Sequence, residues 1–338
     1  MHKQTLEFAN NSLLPQLFGE HNSHLQFLEE KLAVRIGTRG NVVTVSGKEE
    51  RAVLEGTRSL QALYERLENG QDVTKSDVMA VLRMATLPTN KEIPKDISQM
   101  VDETPDALHD FNSKSLLVKT KRKFINPRSQ RQAAYLKMLN QCELVFGVGP
   151  AGTGKTYLAV AKAVELLMAG TVERIILSRP AVEAGEHLGF LPGDLKMKVD
   201  PYLRPLYDAL DDMLPPEVVQ KKIESNEIEI APLAFMRGRT LANAFCILDE
   251  AQNATPVQLK MFLTRLGENS RMVVTGDLTQ IDLPHPSKSG LSQALELLKD
   301  IPEIGITRFS EDDVVRHPLV MKIVKMYNTL EASTPSMN

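Results

Sequence analysis

The 338-residue sequence has few of the residues that would indicate a disulfide, zinc or membrane protein. Its two cysteines, Cys142 and Cys246, lie far apart and form no Cys-x-x-Cys pair, which argues against a disulfide or zinc framework and fits a reducing cytoplasm. The seven histidines show no metal-ligand spacing. No apolar run approaches membrane-spanning length, and the first residues lack the apolar core of a signal peptide. We therefore expect a cytoplasmic protein with no membrane partner.

The chain also lacks a strong excess of charge. Its formal net charge is -3, so any binding of nucleic acid must depend on a local basic patch. The most basic stretch is Lys119–Lys123, followed by Arg128 and Arg131. This stretch is either a contact for RNA or a solvated basic linker.

Composition and length predict about two domains. We expect a small α/β domain over 1–87, a polar and basic linker over 88–126, a larger α/β domain over 127–330 and a loose tail over 331–338. In the first domain, the patterns predict helices over 24–31, 51–67 and 75–84 and a hairpin of strands over 32–37 and 42–46. Prolines and polar residues identify the linker.

The larger domain alternates predicted strands and helices, which implies a mostly parallel sheet that is covered on both faces. Its predicted strands are 144–148, 174–178, 228–231, 244–248, 271–275 and 304–309. Its predicted helices are 130–140, 157–168, 201–212, 256–265, 290–298 and 318–330.

A complete phosphate-binding loop of the form GxxxxGK[ST] follows the first of these strands and precedes a helix. Its glycines let several backbone N–H groups point at one anion, and the helix N-terminus adds positive potential. Lys155 can reach the β- and γ-phosphates of a nucleotide, and the Thr156 hydroxyl can ligate magnesium. The predicted phosphate-binding residues are Gly149, Pro150, Ala151, Gly152, Thr153, Gly154, Lys155 and Thr156.

Two further motifs also end apolar strands. Asp249 and Glu250 follow the strand at 244–248, where Asp249 can hold magnesium and Glu250 can orient or deprotonate the attacking water. The alternative is a helix N-terminus enriched in acidic residues. Gln280 follows Thr275-Gly-Asp277 and can contact the γ-phosphate, although Gly-Asp is also a common turn.

These motifs resemble the DEAQ-like pattern of superfamily 1 helicase cores, and they resemble the PhoH-like proteins more closely, in particular the bacterial YbeZ-type branch with an extra N-terminal domain. The resemblance covers nearly all of 127–328. It implies a P-loop RecA-like core, ATP and Mg²⁺ as cofactors, a cytoplasmic location and a role in RNA metabolism. It also implies a YbeY-type endoribonuclease as partner. The matching segments are 147–159, 178–194, 199–208, 236–241, 249–252, 275–280 and 313–318.

The resemblance implies roles for other residues. Gln132 corresponds to the adenine-reading glutamine upstream of helicase phosphate loops, although a surface glutamine fits equally well. Arg179 and Pro180 fall where helicase cores touch the nucleic-acid backbone. Arg237 and Arg239 are candidates for RNA phosphates or a neighbour's nucleotide, or are solvated loop arginines. Segment 182–200 is a candidate substrate-facing loop.

The N-terminal segment resembles a K-homology RNA-binding domain, a small α/β fold. In place of the family's GxxG loop, which clamps backbone nucleotides, the chain has Gly19-Glu-His-Asn22. Because the second glycine is missing and an acid is present, this domain is expected to bind RNA weakly or to bind protein.

A superfamily 1 helicase closes two cores over ATP, whereas this chain has one phosphate loop. We therefore predict a homo-oligomer, such as a hexameric ring, in which Arg316 or Arg239 enters the next subunit's site as an arginine finger. An ion pair with Asp312 or Asp313 is the alternative for Arg316. The expected function is ATP hydrolysis in RNA processing with helicase-like motifs. The alternatives are an ATP-gated RNA-binding adaptor for an endoribonuclease without unwinding and, with less support, small-molecule phosphotransfer.

Overall fold

The computed structural model describes residues 1–85, 116–180, 195–283, 289–315 and the single positions 320, 323 and 326, with side chains omitted over 195–202. By their internal contacts, these residues divide into two compact units. The first unit comprises 1–141, 161–171 and 209–224, and the second comprises the remainder. The predicted helix over 318–330 and the tail over 331–338 lie outside the residues that are described continuously, as does the part 182–194 of the candidate loop over 182–200. Residues 195–200 of that candidate loop are instead helical, because the helix Leu195–Met213 begins six residues before the predicted helix over 201–212.

The N-terminal part of the first unit is a three-stranded antiparallel sheet with helices. The elements are β1 (His2–Glu7), α1 (Leu14–Phe18), α2 (Ser23–Leu32), β2 (Val34–Arg39), β3 (Val42–Gly47), α3 (Glu50–Glu68) and α4 (Lys75–Ala85). Strand order is β1-β3-β2, and residues such as Leu28, Leu60 and Leu63 are fully buried in one apolar core. The predicted helices and hairpin are confirmed to within a few residues, whereas β1 and α1 were not predicted.

The described end of the predicted linker contains regular structure. Two short strands, β4 (Val118–Lys119) and β5 (Phe124–Ile125), form an antiparallel hairpin that the sequence interpretation did not predict. Helix α5 (Gln130–Gln141) follows, one residue longer than expected.

The remaining elements are β6 (Leu144–Val148), α6 (Lys155–Met168), β7 (Arg174–Arg179), α7 (Leu195–Met213), α8 (Pro216–Glu224), β8 (Ile228–Pro232), β9 (Ala244–Leu248), α9 (Pro256–Leu263), β10 (Arg271–Gly276), α10 (Gly290–Leu298) and β11 (Ile304–Arg308). Six of them form a second, parallel sheet in the order β11-β6-β10-β9-β7-β8. Every residue of β6 and β9 is buried, so both faces of the sheet centre are covered. The order confirms the predicted P-loop RecA-like core, with β10 between the strand of the phosphate loop and the acidic strand.

All six strands were predicted, and each boundary lies within one residue of its expected position. The apolar strands of a buried parallel sheet give a strong local signal. Helix α8 was not predicted, although the proline at its first position is a known start signal.

Candidate nucleotide-binding site

The three predicted motifs meet at one edge of the parallel sheet. The register pairs Gly276 with Val148 and Val274 with Leu248, so β6, β9 and β10 end at nearly the same level. Because all these strands are parallel, their carboxyl ends present the phosphate loop, the acidic pair and the third motif to one cleft. The cleft has a volume of about 230 Å³ and is lined by residues of all three motifs, including Lys155, Thr156, Asp249, Glu250 and Gln280.

The phosphate loop depends on glycine at its first position. Gly149 has a φ of +144°, and a Cβ there would lie 2.4 Å from the Phe309 carbonyl oxygen. Gly152 and Gly154 also have positive φ, at +83° and +84°. The Gly149 N–H donates to the Gly276 carbonyl at 3.0 Å, which anchors the start of the loop to the end of β10. Only glycine accepts this combination of φ and close backbone approach.

Lys155 begins α6, and its ammonium group lies within the loop. Its Nζ donates to the carbonyl oxygens of Gly149 at 2.6 Å and Pro150 at 2.8 Å and lies 3.4 Å from Thr153 Oγ1. The residue is only 8% exposed. A positive charge is therefore already fixed inside the loop, at the N-terminus of a 14-residue helix.

Asp249 is the centre of a small hydrogen-bond network. Its Oδ1 accepts from Thr156 Oγ1 at 2.6 Å and from Thr275 Oγ1 at 2.7 Å, and neither hydroxyl donates to Oδ2. The Asp249 N–H donates to the Ser178 carbonyl at 2.9 Å. Thr156 and Asp249, the two predicted magnesium ligands, are thus in direct contact although 93 residues separate them in the chain.

Glu250 lies next to this network and has an unusual backbone. Its φ of +53° is in the left-handed region, which a non-glycine residue adopts at a cost of about 1 kcal/mol or more. Arg179 Nη2 lies 3.4 Å from Glu250 Oε1, and Gln252 Nε2 donates to Glu250 Oε2 at 2.5 Å. The strained backbone and these two partners fix the predicted catalytic carboxylate at the rim of the cleft.

Gln252 connects the acidic pair to the third motif. Its Oε1 accepts from the Asp277 N–H at 3.0 Å, and its Nε2 donates to the Gln280 carbonyl at 3.1 Å. Gln280 Nε2 donates to Asp277 Oδ2 at 2.7 Å. A second link joins Asn253 and Asp282 through reciprocal hydrogen bonds of 2.8 and 3.3 Å. Gln280 is thus an exposed residue at the cleft whose side chain and backbone carbonyl are hydrogen-bonded to Asp277 and Gln252.

The residues present fit a nucleoside triphosphate and a magnesium ion. Positive-φ glycines, a buried ammonium group and the start of a long helix form an anion site. Thr156 and Asp249 supply the hydroxyl and carboxylate oxygens that magnesium prefers. Among the described residues no cluster of three His, Cys, Asp or Glu side chains suggests a further metal site.

The other predicted site residues have different surroundings. Gln132 is 3% exposed, and its Oε1 accepts from the Arg128 N–H at 2.7 Å across the start of α5, so it is not a surface glutamine. It belongs to the first unit and the phosphate loop to the second, and its role at adenine stays a prediction. Arg316 lies outside the described residues.

Arg239 forms a bidentate ion pair with Glu229, with N–O distances of 2.6 and 2.7 Å. This hydrogen bonding raises the pKa of Arg239 above its ordinary value. An arginine finger at this position would have to leave that pair, which makes a role within its own chain the simpler interpretation. Arg237 is exposed.

The predicted basic RNA contact over Lys119–Lys123 has partners within the first unit. Lys123 Nζ pairs with Asp212 at 2.5 Å, and the Arg122 guanidinium donates to the Asp211 carbonyl. The backbone N–H of Lys119 donates to Glu165 at 2.9 Å. These contacts fasten the hairpin β4–β5 to the ends of two helices, so part of the basic charge is neutralised locally.

The turn at Gly19, where the resemblance to a K-homology domain predicts the counterpart of a GxxG loop, lies between α1 and α2. Gly19 has a φ of +73°, and His21 and Asn22 are also left-handed. A Cβ at Gly19 would lie 2.7 Å from Ser23 Oγ. The first glycine is thus required by the backbone itself, and RNA binding by this turn stays a prediction.

The sequence motifs predict no role at the site for Thr275 or Gln252 and do not predict the contact between Arg179 and Glu250. A signal existed for Thr275, which is polar within an apolar strand and lies one residue before the strand end. Gln252 occurs in the quoted Asp-Glu-Ala-Gln pattern, although only the structure shows its two-sided contact.

No helix in the described ranges is both long and apolar enough to cross a membrane. The profile of the family described as PhoH-like protein matches residues 124–328. A PhoH-like protein of Bacillus subtilis is 49% identical over 92% of this chain and 93% of its own length. A PhoH-like protein of Mycobacterium tuberculosis is 45% identical over 96% of this chain and 88% of its own. Protein PhoH of Escherichia coli is 49% identical over 60% of this chain and 57% of its own.

A solved structure, the Sulfolobus solfataricus SWI2/SNF2 ATPase core in complex with dsDNA, aligns at a TM-score of 0.34 and 14% identity over 61% of this chain and 53% of its own, a similarity too weak to support any conclusion. The family match rests instead on the profile, which covers the whole six-stranded sheet and the cleft, and on relatives that align over nearly the full length. The chain belongs to the PhoH-like protein family.

Proposed function

We propose that this protein is a magnesium-dependent ATPase that acts in RNA metabolism. The observation that supports it most directly is the contact of Thr156, Asp249 and Thr275 beside Glu250, next to a complete phosphate loop. Family and fold already indicate a nucleotide-binding ATPase. The choice of ATP, the need for magnesium and the RNA substrate belong to the proposal.

Each residue has a distinct task in this proposal. Lys155 and the loop N–H groups bind the phosphates, and the lysine offsets charge on the transferring phosphoryl group. Thr156 and Asp249 would hold magnesium, which neutralises charge on the β- and γ-phosphate oxygens when bound. Glu250 accepts a proton from the attacking water or orients it. Gln280 contacts the γ-phosphate and transmits its presence through Gln252 to the acidic pair.

The RNA part of the proposal is supported by the family resemblance, which also suggests a YbeY-type endoribonuclease as partner. Arg179, at the end of β7, is the described arginine best placed beside the cleft to meet an RNA phosphate, because it contacts a cleft residue. Oligomerisation and the arginine finger stay predictions. Mixing Lys155→Ala and Arg316→Ala proteins tests them, since recovered ATPase activity requires sites that are shared between subunits.

The decisive experiment on hydrolysis replaces Glu250 with glutamine. Removal of a general base lowers turnover by about 10²–10⁴, whereas ATP binding should persist because the phosphate contacts are unchanged. Phosphate release measures turnover, and a fluorescent ATP analogue measures affinity. The control is Glu268→Gln, an exposed glutamate that does not line the cleft. Turnover within threefold of wild type in Glu250→Gln would remove Glu250 from the mechanism.

RNA action is tested by measuring ATPase activity and strand displacement with and without single-stranded RNA. Stimulation together with displacement supports a helicase-like motor. Stimulation without displacement supports the adaptor for an endoribonuclease. If RNA neither binds nor changes turnover, the RNA part of the proposal is wrong, and the ATPase part stands on the Glu250 result alone.

A further inference from the structure

Both carboxylate oxygens of Glu250 already have partners. Arg179 Nη2 lies 3.4 Å from Oε1, and Gln252 Nε2 donates to Oε2 at 2.5 Å. A general base must offer an oxygen to the water from which it takes a proton. A carboxylate can accept further hydrogen bonds, but a partner on each oxygen fixes its direction and competes with water for its lone pairs, so release of one partner frees Glu250 to turn toward the water.

The two contacts differ in how easily they break. Gln252 is 1% exposed and is fixed by the Asp277 N–H at 3.0 Å and the Gln280 carbonyl at 3.1 Å. The ion pair of Arg179 is longer, and its side chains are 22% and 37% exposed. Partly exposed ion pairs of this kind are weak, whereas a guanidinium forms strong two-pronged hydrogen bonds with a phosphate. The contact with Arg179 is therefore the one that a phosphate can replace.

The backbone around Arg179 is coupled to the acidic strand. Arg179 is the last residue of β7, which pairs directly with β9, and the carbonyl of the preceding Ser178 accepts from the Asp249 N–H at 2.9 Å. The backbone of Arg179 is thus fixed relative to Glu250. The arginine side chain can therefore turn from the carboxylate to a phosphate at the rim of the cleft without a rearrangement of the sheet.

We infer that Arg179 is a positioning residue for Glu250, which restrains the carboxylate until a phosphodiester of a bound RNA strand takes the guanidinium. The inference rests on the proposed ATPase function and adds to it a physical link between the RNA site and the hydrolytic site. Turnover without RNA should then be slowed by the ion pair, and RNA should stimulate turnover by releasing that pair.

The test compares wild type with Arg179→Ala and Arg179→Lys, using phosphate release at saturating ATP and Mg²⁺, with and without saturating poly(U). We expect Arg179→Ala to raise basal kcat about twofold to fivefold, the range that a weak ion pair allows, with an unchanged KM for ATP. Poly(U) should then stimulate Arg179→Ala by a factor close to one. Arg179→Lys keeps the positive charge and should restore a low basal rate. The matched control is Arg308→Ala, an exposed arginine that ends β11 and does not line the cleft.

The other outcomes overturn the inference. An unchanged basal rate with full stimulation at higher poly(U) means that Arg179 only contacts RNA. A lower basal rate means that Arg179 serves the phosphates of ATP itself. A wild type without stimulation by poly(U) excludes RNA as the releasing ligand. Adding Glu250→Gln to each background separates failure of this inference from failure of the proposed function. Loss of turnover in those double variants supports the ATPase function, whatever the single Arg179 variants show.

Discussion

Replacement of Thr275 by valine tests the hydrogen-bond network of Asp249 directly. Valine has nearly the shape of threonine, so the change removes a hydroxyl with little change in packed volume. The lost bond is the one of 2.7 Å to Asp249 Oδ1, on a carboxylate that is only 5% exposed. Hydrogen bonds to charged groups contribute about 1.5–3 kcal/mol to stability, and a buried acceptor that loses such a bond does not regain it from water.

We expect Thr275→Val to lower the free energy of unfolding by about 2 kcal/mol, because the bond from Thr156 to the same oxygen remains. For a domain of this size that corresponds to a fall in Tm of roughly 4–8 °C. The magnesium concentration for half-maximal hydrolysis should rise, since Asp249 is oriented by one hydroxyl fewer. Thermal and urea unfolding measure stability, and phosphate release measures the magnesium requirement.

Two controls make the Thr275 prediction specific. Thr275→Ser restores the hydroxyl and should recover most of the lost stability. In an Asp249→Asn background the same valine substitution should cost less, because the acceptor has lost its charge. A loss below about 0.5 kcal/mol would refute the reasoning, since a buried charged acceptor that loses a donor must cost more than that. An equal loss in both backgrounds would refute it as well, because the hydroxyl would then not act through Asp249.

Two further predictions concern glycine and cysteine. Gly149→Ala should abolish detectable ATP binding and lower stability by roughly 2–4 kcal/mol, because its Cβ would meet the Phe309 carbonyl at 2.4 Å; binding and unfolding assays check this, and near-normal ATP affinity would contradict it. Cys246 should not react with a thiol reagent at pH 8 until the protein unfolds, because burial raises its pKa to about 12. Because the folded pKa exceeds the ordinary value, the thiol of Cys246 lowers the free energy of unfolding only when the pH rises from about 9 toward 12, where the unfolded chain loses the proton and the folded chain keeps it. Cys246→Ala is the control and should lack this part of the pH dependence.

Most of the fold was predictable from patterns within short stretches of sequence. The strands of the parallel sheet are short apolar runs between turn residues, and both faces of the central strands are buried, so the pattern was strong. Strand β1 was not predicted because it carries mostly exposed, polar residues and shows little alternation. Antiparallel pairing with β3 along its whole length stabilises it. The two-residue strands of the hairpin at 118–125 are too short to produce a pattern at all.

The candidate site likewise combines residues that the sequence predicts with contacts that it does not predict. The loop around Lys155 and the acids at 249 and 250 were predictable, because the residue types and the preceding strands together imply phosphate and magnesium chemistry. The partners of those residues were not. Thr275 lies 26 residues from Asp249 in sequence and Gln252 lies 25 residues from Asp277, and no local pattern relates such pairs.

Residue types and local patterns were enough to predict a phosphate-binding loop, two acids at the end of a buried strand, and a parallel α/β domain that contains both. These features depend on residue type and on periodicity over a few turns or strands. The side chains that bind those acids could be identified only in the folded chain. The sheet order places β10 beside both β6 and β9 and brings β7 to the far side of β9, so Thr275 reaches Asp249 and Arg179 reaches Glu250. Contacts of this kind follow from strand order and register, which the chain acquires only when the sheet assembles.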